Sequence, residues 1–65
     1  MTHFNNAVAA YQQVGKSTSR YECERFHEMA QNFIKWHINQ VGGNYLDTYL
    51  AMVAEATGYY EKAAA

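Results

Sequence analysis

Apolar residues recur three and four positions apart at Phe4, Ala7, Val8, Tyr11 and Val14, which is the spacing of one helix face. A short amphipathic helix is therefore predicted, ending at a C-cap near Gly15. Gly15-Lys16-Ser17-Thr18 then reads as a connecting loop. Ser19-Arg20-Tyr21-Glu22 has the S-x-x-E form of a capping box, in which the serine hydroxyl and the glutamate carboxylate each satisfy a free backbone N–H. A second helix is predicted from there to about Val41, where Gly42-Gly43 stops it. Asn44 is the expected N-cap of a third helix, with Asp47 in a first turn where negative charge suits the helix dipole. That helix is expected to run from Tyr45 towards Lys62, with Gly58 as a weak point.

The faces of the two later helices differ. On the second, Cys23, Phe26, His27, Ala30, Phe33, Ile34, His37 and Val41 fall on one side, while Glu24, Glu28, Gln31, Lys35 and Asn39 fall on the other. On the third, Leu46, Leu50, Val53, Thr57 and Tyr60 form one stripe, and Tyr45, Tyr49, Met52, Ala56 and Tyr59 form a second beside it. Together they cover about half the circumference, wider than the ~100° a surface helix needs. One stripe is expected to pack inside the protomer and the other outside it. No repeat, low-complexity tract or proline-rich linker divides the chain, so residues 1–65 read as one domain; Ala63, Ala64 and Ala65 read as a cloning scar.

Composition sharpens this picture. Six tyrosines, three phenylalanines and one tryptophan make up 15% of the 65 residues. A fold this small has a limited interior, so some of these rings are expected at a contact with a second molecule. Burial gain and ordering cost nearly cancel in so short a chain. Disulfides, a metal or oligomerisation usually make up the difference. Cys23 is the single cysteine and excludes an intramolecular disulfide, so self-association is the expected remedy. A net charge of −1, without a run of either sign, gives no electrostatic footprint for nucleic acid or an anionic membrane. The uncharged stretch between Lys35 and Asp47 is too short to span a bilayer. One cysteine and an N-terminus without the basic and apolar regions of a signal peptide lead to the expectation of a cytoplasmic chain.

The motifs that carry chemistry are fragments. Gly15-Lys16-Ser17 matches the end of a phosphate-binding loop, yet Ala10 stands where that motif needs its first glycine and the preceding segment reads as helix, not strand. Glu24-x-x-His27 has the spacing of a carboxylate and an imidazole in a helical di-iron site, and Cys23 and His27 lie four apart on one face. Cys23, Glu24 and His27 are thus the candidate metal ligands, but further ligands would have to come from elsewhere. The reading taken is a core histidine and a small buried cysteine, with no metal, cofactor or catalytic residue. Cys23 with His27 or His37 also lacks an orienting group and an oxyanion hole. The third helix offers only Lys62 towards a nucleic acid. Lys16, Arg20, Arg25 and Lys35 would have to gather on one surface of a dimer.

Ala10-Tyr11-Gln12-Gln13-Val14 resembles the N-terminal segment of the flagellar export chaperone family that binds flagellin. The likeness covers five residues. The downstream segment lacks that family's Ser-Pro-rich helix start and Leu-rich second helix, and nothing of the family's function is carried over.

The sequence thus predicts an all-α fold, a small helical bundle in which a short first helix precedes an antiparallel pair of longer helices. Its expected function is that of a non-enzymatic, homo-oligomeric protein–protein interaction module acting as an inhibitor, adaptor or assembly factor, a kind of small helical protein frequent among phage products. The expected partners are itself, as a dimer or higher oligomer, and a second protein, with no membrane. The expected interface residues are Met29, Trp36, Tyr45, Tyr49, Met52 and Tyr59, because rigid aromatics with a polar tip anchor interfaces. Two alternatives stand beside it. One is an oligomer that sequesters a small ligand such as a nucleotide in a tyrosine-lined pocket between protomers, and the other is a weak DNA-binding dimer.

Overall fold

The computed structural model describes residues 2–56, which form three helices: α1 (Thr2–Lys16), α2 (Arg20–Val41) and α3 (Tyr45–Glu55). No strand occurs among the described residues. The boundaries follow local chemistry. Ser19 adopts extended backbone and its hydroxyl accepts from the Glu22 N–H at 3.4 Å, so the N-cap half of the expected capping box forms, without the reciprocal bond from the Ser19 N–H to the Glu22 carboxylate. Asn44 repeats this for α3: its side-chain oxygen accepts from the Asp47 N–H at 3.1 Å, and its carbonyl accepts from the Thr48 hydroxyl at 2.7 Å. Gly42 closes α2 by donating its N–H to the Ile38 carbonyl at 2.7 Å. Its φ of 82° and ψ of −174° lie in a region that glycine alone occupies readily, and Gly43 follows at φ 112°.

The end of α1 differs from the sequence expectation. Gly15 stays inside the helix, and Ser17 ends it by donating both its N–H (2.9 Å) and its hydroxyl (2.6 Å) to the Gln13 carbonyl. A serine side chain here supplies the bond that a left-handed glycine was expected to supply. The end of α3 differs as well. Ala56 leaves helical geometry at φ −80°, ψ 102°, so the helix stops at Glu55 and not near Lys62. The expected stripe members Thr57, Tyr59 and Tyr60, with Gly58 and Lys62, lie outside the described residues. As a result α1, at 15 residues, is longer than the 11-residue α3, the reverse of the expected order.

The principal helix pair is α1 with α2, and α3 makes fewer contacts with each. Contacts along the first pair run in opposite order: Phe4 meets His37, Tyr11 meets His27, and the Val14 carbonyl accepts from the Cys23 thiol. The two helices therefore lie side by side in opposite directions. Their shared core holds Phe4, Ala7, Ala10, Tyr11 and Val14 from α1 with Ala30, Ile34 and His37 from α2. Met52, Val53 and Ala56 close it from the α3 side. Tyr11 is fully buried at the junction, with the rings of His27 and Tyr49 set edge-on at 6.0 and 5.7 Å.

Candidate interaction surface

Among the described residues, two arrays of large apolar side chains remain at the surface. The first runs along α2 on the shoulder next to α1. Phe26, Met29, Phe33 and Trp36 are spaced three, four and three apart, which keeps them on one line of the helix. Met29 is 39% exposed and Trp36 51%, while Phe26 and Phe33 are half-buried and rest against the core. Across from this ridge, α1 presents the small or polar residues Asn6, Ala9, Ala10 and Gln13. Ridge and furrow enclose an open groove of about 300 Å³. At one end His3 packs on Phe33 and Trp36, with ring centroids 6.4 and 5.7 Å apart. Phe33 and Trp36 meet edge-on at 5.4 Å, so the tryptophan is held by two neighbours while half its surface faces solvent.

The second array surrounds the α2–α3 turn and comprises Val41, Tyr45, Leu46 and Leu50, all exposed. It corrects the expected assignment of the α3 stripes. Leu46 and Leu50 were to pack inside the protomer, yet they are 61% and 46% exposed. Met52, expected at an interface, has no exposed surface and sits in the core. The reason is rotational: α3 turns the arc between its two stripes inward, so Met52, Val53 and Ala56 all reach the core. Val41, expected on the buried side of α2, is 62% exposed because it is the last residue of the helix and lies beyond the Phe4–His37 contact that ends the α1 overlap.

The remaining expected interface residues divide. Met29 and Trp36 lie together on the α2 ridge, Tyr45 is exposed at the start of α3, and Tyr49 is half-buried against Tyr11. Tyr59 lies outside the described residues. Phe26 and Phe33 were assigned to the apolar side of the second helix but not to an interaction surface, and Asn6, Ala9, Ala10 and Gln13 were not assigned to one either. The 26-29-33-36 spacing was the available signal, and it is narrower than the broad apolar face in which it is embedded.

The candidate metal ligands do not converge. Glu24 is exposed and paired with Arg20 at 3.1 Å, the Cys23 thiol is directed at the Val14 carbonyl, and His27 packs on Tyr11. Among the described residues no group of three or more His, Cys, Asp or Glu side chains is placed to hold a metal ion. The Nδ1 atoms of His3 and His37 are buried without a hydrogen-bond partner among the described residues. No helix among them is long and apolar enough to cross a membrane. Comparison with family models, curated proteins and solved structures finds no match to the chain.

Proposed function

We propose that this chain is a small, non-enzymatic, homo-oligomeric interaction module that acts by protein–protein contact as an inhibitor, adaptor or assembly factor. The observation that carries the reading is Trp36, the largest side chain in the molecule, fixed by His3 and Phe33 yet 51% exposed beside the accessible Met29. A half-exposed tryptophan packed against two rings on an apolar ridge has the properties of an interface anchor: large apolar area and few rotamers left open to lose on binding. The groove beside it is lined by Phe26, Met29 and Phe33 and by no tyrosine, which favours a packed protein surface over the tyrosine-lined nucleotide pocket.

The test is Trp36→Ala, followed by sedimentation and circular dichroism. Self-association should weaken by ~2 kcal/mol or more, about 30-fold in dissociation constant. Helical content should be retained. A variant that associates as tightly as the parent chain removes Trp36 from the interface.

A further inference from the structure

We propose that the groove between α1 and α2 is where two copies of this chain meet, face to face about a two-fold axis parallel to the helices. The α2 ridge of each copy then lies in the α1 furrow of the other. This rests on the self-association proposed above and assigns it a surface and a geometry.

Three observations select this face and this occupant. The first is shape. The α1–α2 pair has two sides; α3 packs on one through Tyr49, Met52, Val53 and Ala56, and the other is uncovered by any described residue. On the uncovered side a bulky ridge (Phe26, Met29, Phe33, Trp36) runs beside a furrow floored by Ala9 and Ala10. A surface that carries its own knob next to its own hole is self-complementary, which is what a two-fold contact requires. Rotation about an axis along the helices puts each α1 beside the other copy's α2 in the opposite direction, so all four neighbouring helices alternate and their dipoles oppose.

The second is charge. From His3 to Gln13 and from Phe26 to Gln40 the residues lining the groove include no Asp, Glu, Lys or Arg, so two copies approach without like-charge repulsion. Charges appear only where α1 ends and α2 begins. Since Val14 is level with Cys23 and Tyr11 with His27, the rotation sets Lys16 near Glu22 of the second copy, an opposite pair at the rim. Glu22 and Arg25 line the hollow that adjoins the groove at the start of α2, and between there and Gln40 a partner of marked charge would find nothing to pair with.

The third is area. The molecule measures 33 by 18 by 16 Å, so its broad face projects about 600 Å², approaching the ~800 Å² per partner that stable complexes bury. The competing patch at Val41, Tyr45, Leu46 and Leu50 belongs to a helix of 11 residues, about 16 Å long, and offers half that length.

Two variants separate the faces. Met29 and Leu50 are comparably exposed, so a charge at either is tolerated in the free protomer. Met29→Glu buries an unpaired carboxylate in the proposed contact and should raise the dimer dissociation constant at least about 30-fold with helicity unchanged, whereas Leu50→Glu should leave it within about twofold. If Leu50→Glu dissociates the dimer and Met29→Glu does not, the groove assignment is overturned while self-association stands. If the parent chain sediments as a monomer, both are overturned and the groove is left to a different protein. Should Met29→Glu lose its helicity, disulfide trapping decides. In a Cys23→Ser background, an equal mixture of Ala9→Cys and Met29→Cys chains should oxidise mainly to the mixed product, in which position 9 of one chain is linked to position 29 of the other. Predominance of like-with-like products, or no cross-link in a sedimenting dimer, overturns the geometry.

Discussion

Met52 and Leu50 stand two positions apart on α3 and illustrate how far burial, rather than side-chain type, decides what an apolar residue contributes. Met52 is fully enclosed with Ile34, Val53 and Tyr11, whereas nearly half of Leu50 faces solvent. Removing a buried chain loses its transfer free energy and leaves a cavity; removing an exposed one does neither. Met52→Ala should therefore destabilise the protomer by ~2–5 kcal/mol, and Leu50→Ala by under ~1 kcal/mol, measured by urea unfolding. Equal losses would show that α3 is rotated relative to the geometry described. The sequence did not separate these two residues because the apolar arc of α3 is wide, and periodicity locates the arc without saying which half meets the other helices. Tyr11 and Ile34 were legible, since each lies at the centre of a narrower stripe, and both are fully buried. His37 was placed on the apolar side correctly and is buried there edge-on to Phe4, with Nδ1 unpaired among the described residues, which carries a polar cost.

Three element boundaries were legible from their capping residues. Ser19, Asn44 and Gly42 each perform the expected role through a bond to a backbone group three or four positions away. Gly15 was misread because glycine is permitted in a helix as well as after one, and the Ser17 hydroxyl, not a left-handed turn, satisfies the Gln13 carbonyl. The early stop of α3 at Ala56 was announced only by Gly58 two residues on, which was read as a weak point inside the helix and not as its end. At the α2–α3 turn the prediction is conformational. A methyl group at Gly42 would meet no atom within 4 Å, so space is available, but φ 82° with ψ −174° strains any residue with a Cβ. Gly42→Ala should cost ~1–3 kcal/mol in unfolding free energy through backbone strain alone. A stability unchanged by that substitution would mean that the turn adopts another conformation.

Among the described residues, three helices bury a core contributed mostly by α1 and α2, and leave an apolar ridge beside a furrow of small and polar, uncharged residues. The all-α class was legible in the periodicity, and the proposal of a second copy starts from the small interior of a 65-residue chain. Which helices form the main pair was not legible, because pairing depends on the relative rotation of elements, and the apolar arc of α3 offered more than one stripe. The central claim is that the folded protomer is coupled to its own copy. Thermal unfolding followed at concentrations a hundredfold apart tests this most directly, since a dimer's melting temperature depends on concentration and a monomer's does not. A two-state dimer of this length should gain about 10 °C across that range; a melting temperature identical at both concentrations, with a monomer mass by sedimentation, would contradict it.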